Sequence, residues 1–207
     1  MSAFAPDVSL WDAWRPEDVA RLFARASFPW YVAAGWAIDL FIDGESREHE
    51  DLEIAVPNYR FGEVERVLDA FEILVVTAPK EVTPLPEARG RLTDTHQTWV
   101  RDPKTGRWRL DVFREPSQGD SWICRRDPSI RMPYDELIEW TDDGIPYGRP
   151  EIVLLFKAKH AHEAKNERDF AETLPRLDAA RREWLHRALE RVHPGHSWVA
   201  ELERVAA

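Results

Sequence analysis

The chain has 207 residues, 43% of them hydrophobic and 32% charged, with a formal net charge of −10. That length suits one domain, or one domain with a smaller appendage, and it allows a sizeable core. The acidity argues against a broad nucleic-acid partner, the single cysteine (Cys124) excludes an internal disulfide and a cysteine-based zinc site, and no apolar run nears the ~20 residues of a bilayer span. The opening MSAFAPDVSL lacks the basic and apolar regions of a signal peptide, so a reducing, cytoplasmic setting is expected. Ten tryptophans are available as core and rim, or as stacking platforms for a planar ligand.

In chain order, residues 15–27 carry Pro16 near their start and Val19, Leu22 and Phe23 at helical spacing. Residues 29–35, PWYVAAG, predict a short buried strand ending at a glycine, and 36–43 a short helix. Residues 51–57, DLEIAVP, alternate and then turn apolar, a strand stopped by Pro57. Residues 60–71 predict a helix and 72–76 a strand. The Pro-, Glu- and Thr-rich stretch 77–94 is expected to be a loop. Residues 94–116 predict a hairpin about DPKTG, and 121–126 another strand. From Pro150 onward the pattern is helical: 150–165, 166–177, 178–192 and 196–206. The expected division is 1–148, strand-rich, and 149–207, a C-terminal helical region.

Alternate side chains of a strand share a face, so Asp51 and Glu53 are expected to project together. Two adjacent acids raise each other's pKa unless a cation lies between them, and hard carboxylate oxygens suit Mg²⁺. Asp111, in RLDVF, is the best candidate for a third acid from a neighbouring strand. Such a platform performs phosphoryl or nucleotidyl transfer with two metal ions. By itself, the pair is better explained by an alternating edge strand with solvent-facing acids, and Asp111 alone is no better. Gly35, between a strand and a helix, fits a phosphate-binding turn, although a lone turn glycine is common.

Together, AAGWAIDLF and SREHEDLEIAV resemble the minimal nucleotidyltransferases of the DNA polymerase β superfamily, within them the aminoglycoside 2″-adenylyltransferase-like family. Its members carry G-G-W-A-[IL]-D followed by R-x-H-x-D-[LIV]-[DE]. Gly35, Trp36, Ala37, Ile38 and Asp39 match the first part, and Arg47, His49, Asp51 and Glu53 the second. Ala34 replaces the family's first glycine, and Glu53 stands where drug-modifying members usually carry Asp.

The resemblance implies an α+β minimal nucleotidyltransferase fold, a small mixed sheet flanked by helices. It implies Asp51, Glu53 and Asp111 as catalytic and metal residues, with two Mg²⁺ ions. Gly35, Trp36, Arg47, His49 and Lys157 become the nucleotide-binding set. The expected reaction moves a nucleoside monophosphate, AMP from ATP or another NTP, onto a hydroxyl of a small polar acceptor, an aminoglycoside-type antibiotic among them. A nucleotide-binding module with little turnover, or transfer onto RNA or protein through a basic groove at Arg125, Arg126 and Arg131, stays open. Acceptor residues, base preference and oligomeric state are not assigned.

Arg47 can meet phosphate or pair with Glu48 or Glu50, and Lys157 can reach a triphosphate or snorkel off its helix. His49 is read as a local hydrogen-bonding partner and Asp39 as structural packing. Asp169 is read as a solvated helix acid, with an acceptor-side role as the alternative. On a helix, His160 and His162 do not share a face, so no zinc site is expected from them.

Overall fold

The computed structural model describes residues 2–206. Its first half runs α1 (Pro16–Leu22), β1 (Tyr31–Val32), α2 (Ala34–Ile42), β2 (Glu53–Pro57), α3 (Phe61–Val67), β3 (Glu72–Ala78), β4 (Glu81–Pro84), α4 (Leu85–Ala88) and β5 (Gln97–Arg101). There follow β6 (Trp108–Glu115), β7 (Ser117–Gln118), β8 (Ser121–Ile123), β9 (Arg131–Pro133), α5 (Tyr134–Leu137), β10 (Ile138–Trp140) and β11 (Pro146–Gly148). The chain ends in α6 (Pro150–Lys157), α7 (Ala164–Thr173), α8 (Ala179–Val192) and α9 (Ser197–Ala206). This is a mixed α+β fold.

The main sheet has the order β10-β11-β1-β2-β6-β5-β3-β4, and β7-β8-β9 form a smaller one. Pairings β2–β6 and β1–β11 are parallel, whereas β1–β2, β5–β6, β3–β5 and β3–β4 are antiparallel. A central parallel strand is covered on both faces, which explains the unbroken Ile54-Ala55-Val56 run. These three and Leu110 and Val112 beside them are buried. The same hydrophobic cluster takes in Ile38 of α2, Leu154 and Leu155 of α6, Leu185 of α8 and Trp198 of α9. Most tryptophans serve as packing: Trp108, Trp122 and Trp198 are fully buried, and Trp11, Trp99 and Trp108 lean on one another.

Four expectations about the elements need correction. Residues 77–94 are not one loop, since β4, α4 and a 3-10 turn occupy 81–91. Val82 is buried, Lys80 turns the hairpin at φ 62°, and Phe4 pairs with Val82 along the open edge. The strand at 29–35 shrinks to Tyr31–Val32, because the following helix begins at Ala34. The helix expected over 150–165 stops at Lys157, continues as a 3-10 turn over Ala158–His160 and restarts at Ala164. The strands at 131–133, 138–140 and 146–148 were not expected. Each has three residues, too few for a two-residue period to declare itself.

Candidate active site

The parallel register of β2 on β6 sets Glu53 directly beside Asp111. Asp51 lies just before β2, outside the strand, so the simple alternation predicted for 51–57 begins only at Glu53. Its backbone is held another way: the Trp36 indole N–H donates to the Asp51 carbonyl at 3.1 Å. On the far side, Gln97 Nε2 and Trp99 Nε1 donate to Asp111 Oδ2 at 2.8 and 3.1 Å. Gln97 and Trp99 lie two apart on β5, with Trp99 paired to Asp111 in the hairpin register. That register, set by the DPKTG turn, is the signal that could have found them.

Electrostatics make this cluster unusual. Asp51, Glu53 and Asp111 form no ion pair among the described residues. Burial pushes the Asp111 carboxyl up to about 7, with the Asp51 charge adding to the shift. Burial first, and then Asp51 and Asp111, hold Glu53 well above the carboxylate range, although part of its surface opens on the cleft. Asp51 is raised too, chiefly by burial. Asp111 Oδ1 is buried and accepts no hydrogen bond. An orphaned carboxylate oxygen among three mutually repelling acids is the donor set a hard dication satisfies, so the residues present fit Mg²⁺.

Three residues of the expected nucleotide-binding set, Trp36, Arg47 and His49, make protein contacts around this floor. His49 Nε2–H donates to Asp39 Oδ2 at 2.7 Å, and Ser46 Oγ donates to Oδ1 at 2.6 Å. The His49 ring stacks on Trp36 with centroids 4.4 Å apart, and burial lowers its proton affinity. Arg47 Nε donates to Asp169 Oδ1 at 3.4 Å, and Nη1 to the Glu48 carbonyl at 3.1 Å. Gly35 is needed because these side chains press on it: a Cβ would meet Arg47 and lie 2.7 Å from the His49 ring. The left-handed conformation falls instead on Ala34, at φ 50°.

Lys157 Nζ lies 2.6 Å from Asp169 Oδ2 and 3.3 Å from Asn166 Oδ1. Asp169 is therefore not the solvated acid expected. It is fully buried, held there by two cations from distant segments, Arg47 and Lys157. Nothing in the spacing of ERDF signals a partner so far away in sequence.

A cleft of about 670 Å³ opens over Glu53. Ala33 and Ala34 at the start of α2 border it, and Lys157, Lys159 and Lys165 line it. His96 lines it too; burial, with Arg125 and Arg114 nearby, brings its pKa down to about 4, so the ring is neutral. Arg125 and Arg126 also line the cleft, and both side chains have protein partners. Arg125 is bound to Glu115 at 3.1 Å, and Arg126 donates to the Leu155 and Phe156 carbonyls at 2.8 Å.

Residues 17–103 match the family model described as aminoglycoside-2″-adenylyltransferase. The match covers less than half of the chain, so it is a likeness of that segment to the family. The segment contains Gly35, Asp51 and Glu53, whereas Asp111, Lys157 and Asp169 lie beyond it. No curated protein sequence matches the chain. Among solved structures, the solution structure of the antibiotic-resistance factor ANT(2″)-Ia is similar over 96% of both chains, at 16% identity and TM-score 0.56. ANT(2″)-Ia in complex with adenylyl-2″-tobramycin is similar over 92% of this chain and 96% of that one, at 14% identity and TM-score 0.55. The lincosamide antibiotic adenylyltransferase LnuA, lincomycin-bound, is similar over 75% of this chain and 92% of that one, at 18% identity and TM-score 0.52. At such identities the likeness carries the fold, and it is the nucleotidyltransferase fold. The segment match and the shared fold both point to adenylyltransferases as the proteins this chain resembles. Among the described residues no helix is long and apolar enough to cross a membrane.

Proposed function

We propose that the protein transfers AMP from ATP onto a hydroxyl of a small polar antibiotic of the aminoglycoside or lincosamide kind, with Mg²⁺ and in the cytoplasm. One observation carries the reading: Glu53 beside Asp111, with Asp51 next to them, all three without an ion-pair partner among the described residues, and Glu53 opening on a lysine-lined cleft. Asp51, Glu53 and Asp111 would hold Mg²⁺, which supplies charge neutralisation of the triphosphate and of the leaving group. Residues 1–148 contribute this floor, and 149–207 contribute Lys157, Lys159 and Lys165 to the cationic wall.

The acceptor hydroxyl attacks the α-phosphorus in line. A new P–O bond forms, the bond to the bridging oxygen breaks, and pyrophosphate leaves with the electron pair. Asp111 takes the hydroxyl proton, while Gln97 and Trp99 fix its Oδ2. Lys157 is placed to draw the triphosphate toward the wall, where Asp169 and Asn166 set its ammonium. The start of α2, from Ala34, would offer helix-terminal backbone N–H groups to phosphate, whereas the Ala33 N–H is taken by the Glu53 carbonyl at 2.8 Å.

The test is transfer of label from α-³²P-ATP to tobramycin, lincomycin and related acceptors. Labelled product and pyrophosphate are expected with Mg²⁺ and not after Asp51→Asn. ATP binding by calorimetry without pyrophosphate release from any acceptor would make the chain a nucleotide-binding module instead. The strain at Ala34 is the observation that keeps that second reading in view.

A further inference from the structure

The early end of α6 changes what His160 and His162 can do. On a continuous helix, side chains two apart diverge. Here 158–160 is a single 3-10 turn, and the chain bends again before α7. The two imidazoles meet edge to face with centroids 6.1 Å apart. Glu163 joins them, and one ligand atom from each of His160, His162 and Glu163 lies within 4.8 Å of the others. We propose that this turn is a binding site for a transition-metal dication of the Zn²⁺ or Ni²⁺ type, separate from the carboxylate floor.

Donor chemistry sets the selectivity. Two imidazole nitrogens and one carboxylate suit Zn²⁺, Ni²⁺ or Cu²⁺, whereas Mg²⁺ and Ca²⁺ favour oxygen alone. Donor atoms around tetrahedral Zn²⁺ lie roughly 3.4 Å apart for bonds of ~2.1 Å. The three groups must therefore close by about an ångström, a matter of side-chain rotation. Both histidines are exposed and free to make that adjustment. Glu163 is held only loosely, 3.5 Å from Lys165 and 3.9 Å from His160.

The backbone beneath is already fixed. Buried Asn166 donates Nδ2–H to the His160 carbonyl at 2.8 Å, and the Glu163 N–H donates to the same oxygen at 3.0 Å. His196 Nε2–H donates to the Ala158 carbonyl at 3.0 Å. Such outer contacts are what hold metal ligands in register. Other histidines are committed elsewhere: His49 to Asp39, His193 to Arg126 and His196 to Ala158. The His162 ring makes no hydrogen bond among the described residues. Because His160, Glu163 and Lys165 border the cleft, metal binding would draw Glu163 off Lys165 and leave that ammonium free at the mouth.

The experiment is titration of the full chain with Zn²⁺ against a chromophoric chelator, with Mg²⁺ in excess. One Zn²⁺ per chain is expected, taken up equally by Asp51→Asn. His160→Ala and His162→Ala should each weaken binding by about tenfold or more, and Glu163→Gln by less. The histidine ring resonances lost in those two variants should be the ones that shift when Zn²⁺ is added to the parent protein. No uptake by the parent, uptake that survives both histidine changes, or uptake that leaves those resonances in place would overturn the site. So would uptake that Asp51→Asn abolishes.

Discussion

The two sides of the cleft treat charge in opposite ways. On the wall, three cations have carboxylate partners: Lys157 with Asp169, Lys165 with Glu163, Arg125 with Glu115. On the floor, Asp51, Glu53 and Asp111 have none, and burial raises all three pKa values. A compensated charge is part of the scaffold. An uncompensated one is stable only because packing elsewhere over-determines its position, and it marks where an outside counter-ion enters. The floor can be uncompensated because β2 and β6 are central strands whose register cannot slip without moving a whole buried face.

That contrast can be broken most sharply at Asp111. Asp111→Asn should lower transfer by about a thousandfold or more, yet leave the metal-free protein at least as stable as its parent. A turnover assay paired with a denaturation midpoint checks both halves, and unchanged turnover would remove Asp111 from the chemistry. Next comes pH. The Asp111 pKa rises on folding from an ordinary 3.8 to about 7, so the metal-free folded state binds the proton more tightly. Stability is then full below about pH 4 and falls as pH climbs to about 7, by at most about 4 kcal/mol, and Mg²⁺ should restore it above that. Thermal melts across that range, with and without Mg²⁺, measure the slope. Lys157→Met, on the wall, should act on binding more than on chemistry, raising the KM for ATP by about tenfold with a smaller change in kcat. Ala34→Gly should show the smallest effect. Relief of about 1–2 kcal/mol of left-handed strain, less about 0.4–1 kcal/mol of added unfolded-state entropy, predicts a gain of about 0.5 kcal/mol. A melting rise of a degree or two would report it.

The floor was legible in the sequence and the wall largely was not, for a physical reason. Ile54-Ala55-Val56 declares a buried strand by composition, the acids stand out against it, and RLDVF repeats the same contrast. The DPKTG turn declares the β5–β6 hairpin, and the register follows. By contrast, Asp169 looks like any helix acid until Arg47 and Lys157 are brought to it across the fold. Trp36, Arg47 and His49 were visible as a motif, but their contacts to the Asp51 carbonyl, Asp169 and Asp39 required three dimensions. Short strands such as 146–148 carry too few residues to show a period. The end of α6 at Lys157 carries no proline or glycine to announce it.

The parallel pairing of β2 with β6 has a consequence in time as well as in space. Strands joined in parallel need a long crossover, and here α3, β3, β4, α4 and β5 all lie between them. Contacts that distant in sequence form late, after the entropy of the intervening loop has been lost. The step that zips Glu53 against Asp111 is also the step that brings their like charges together. On the proposed reading, a dication present during refolding should therefore speed the closing of the sheet, a role in folding that precedes any in catalysis.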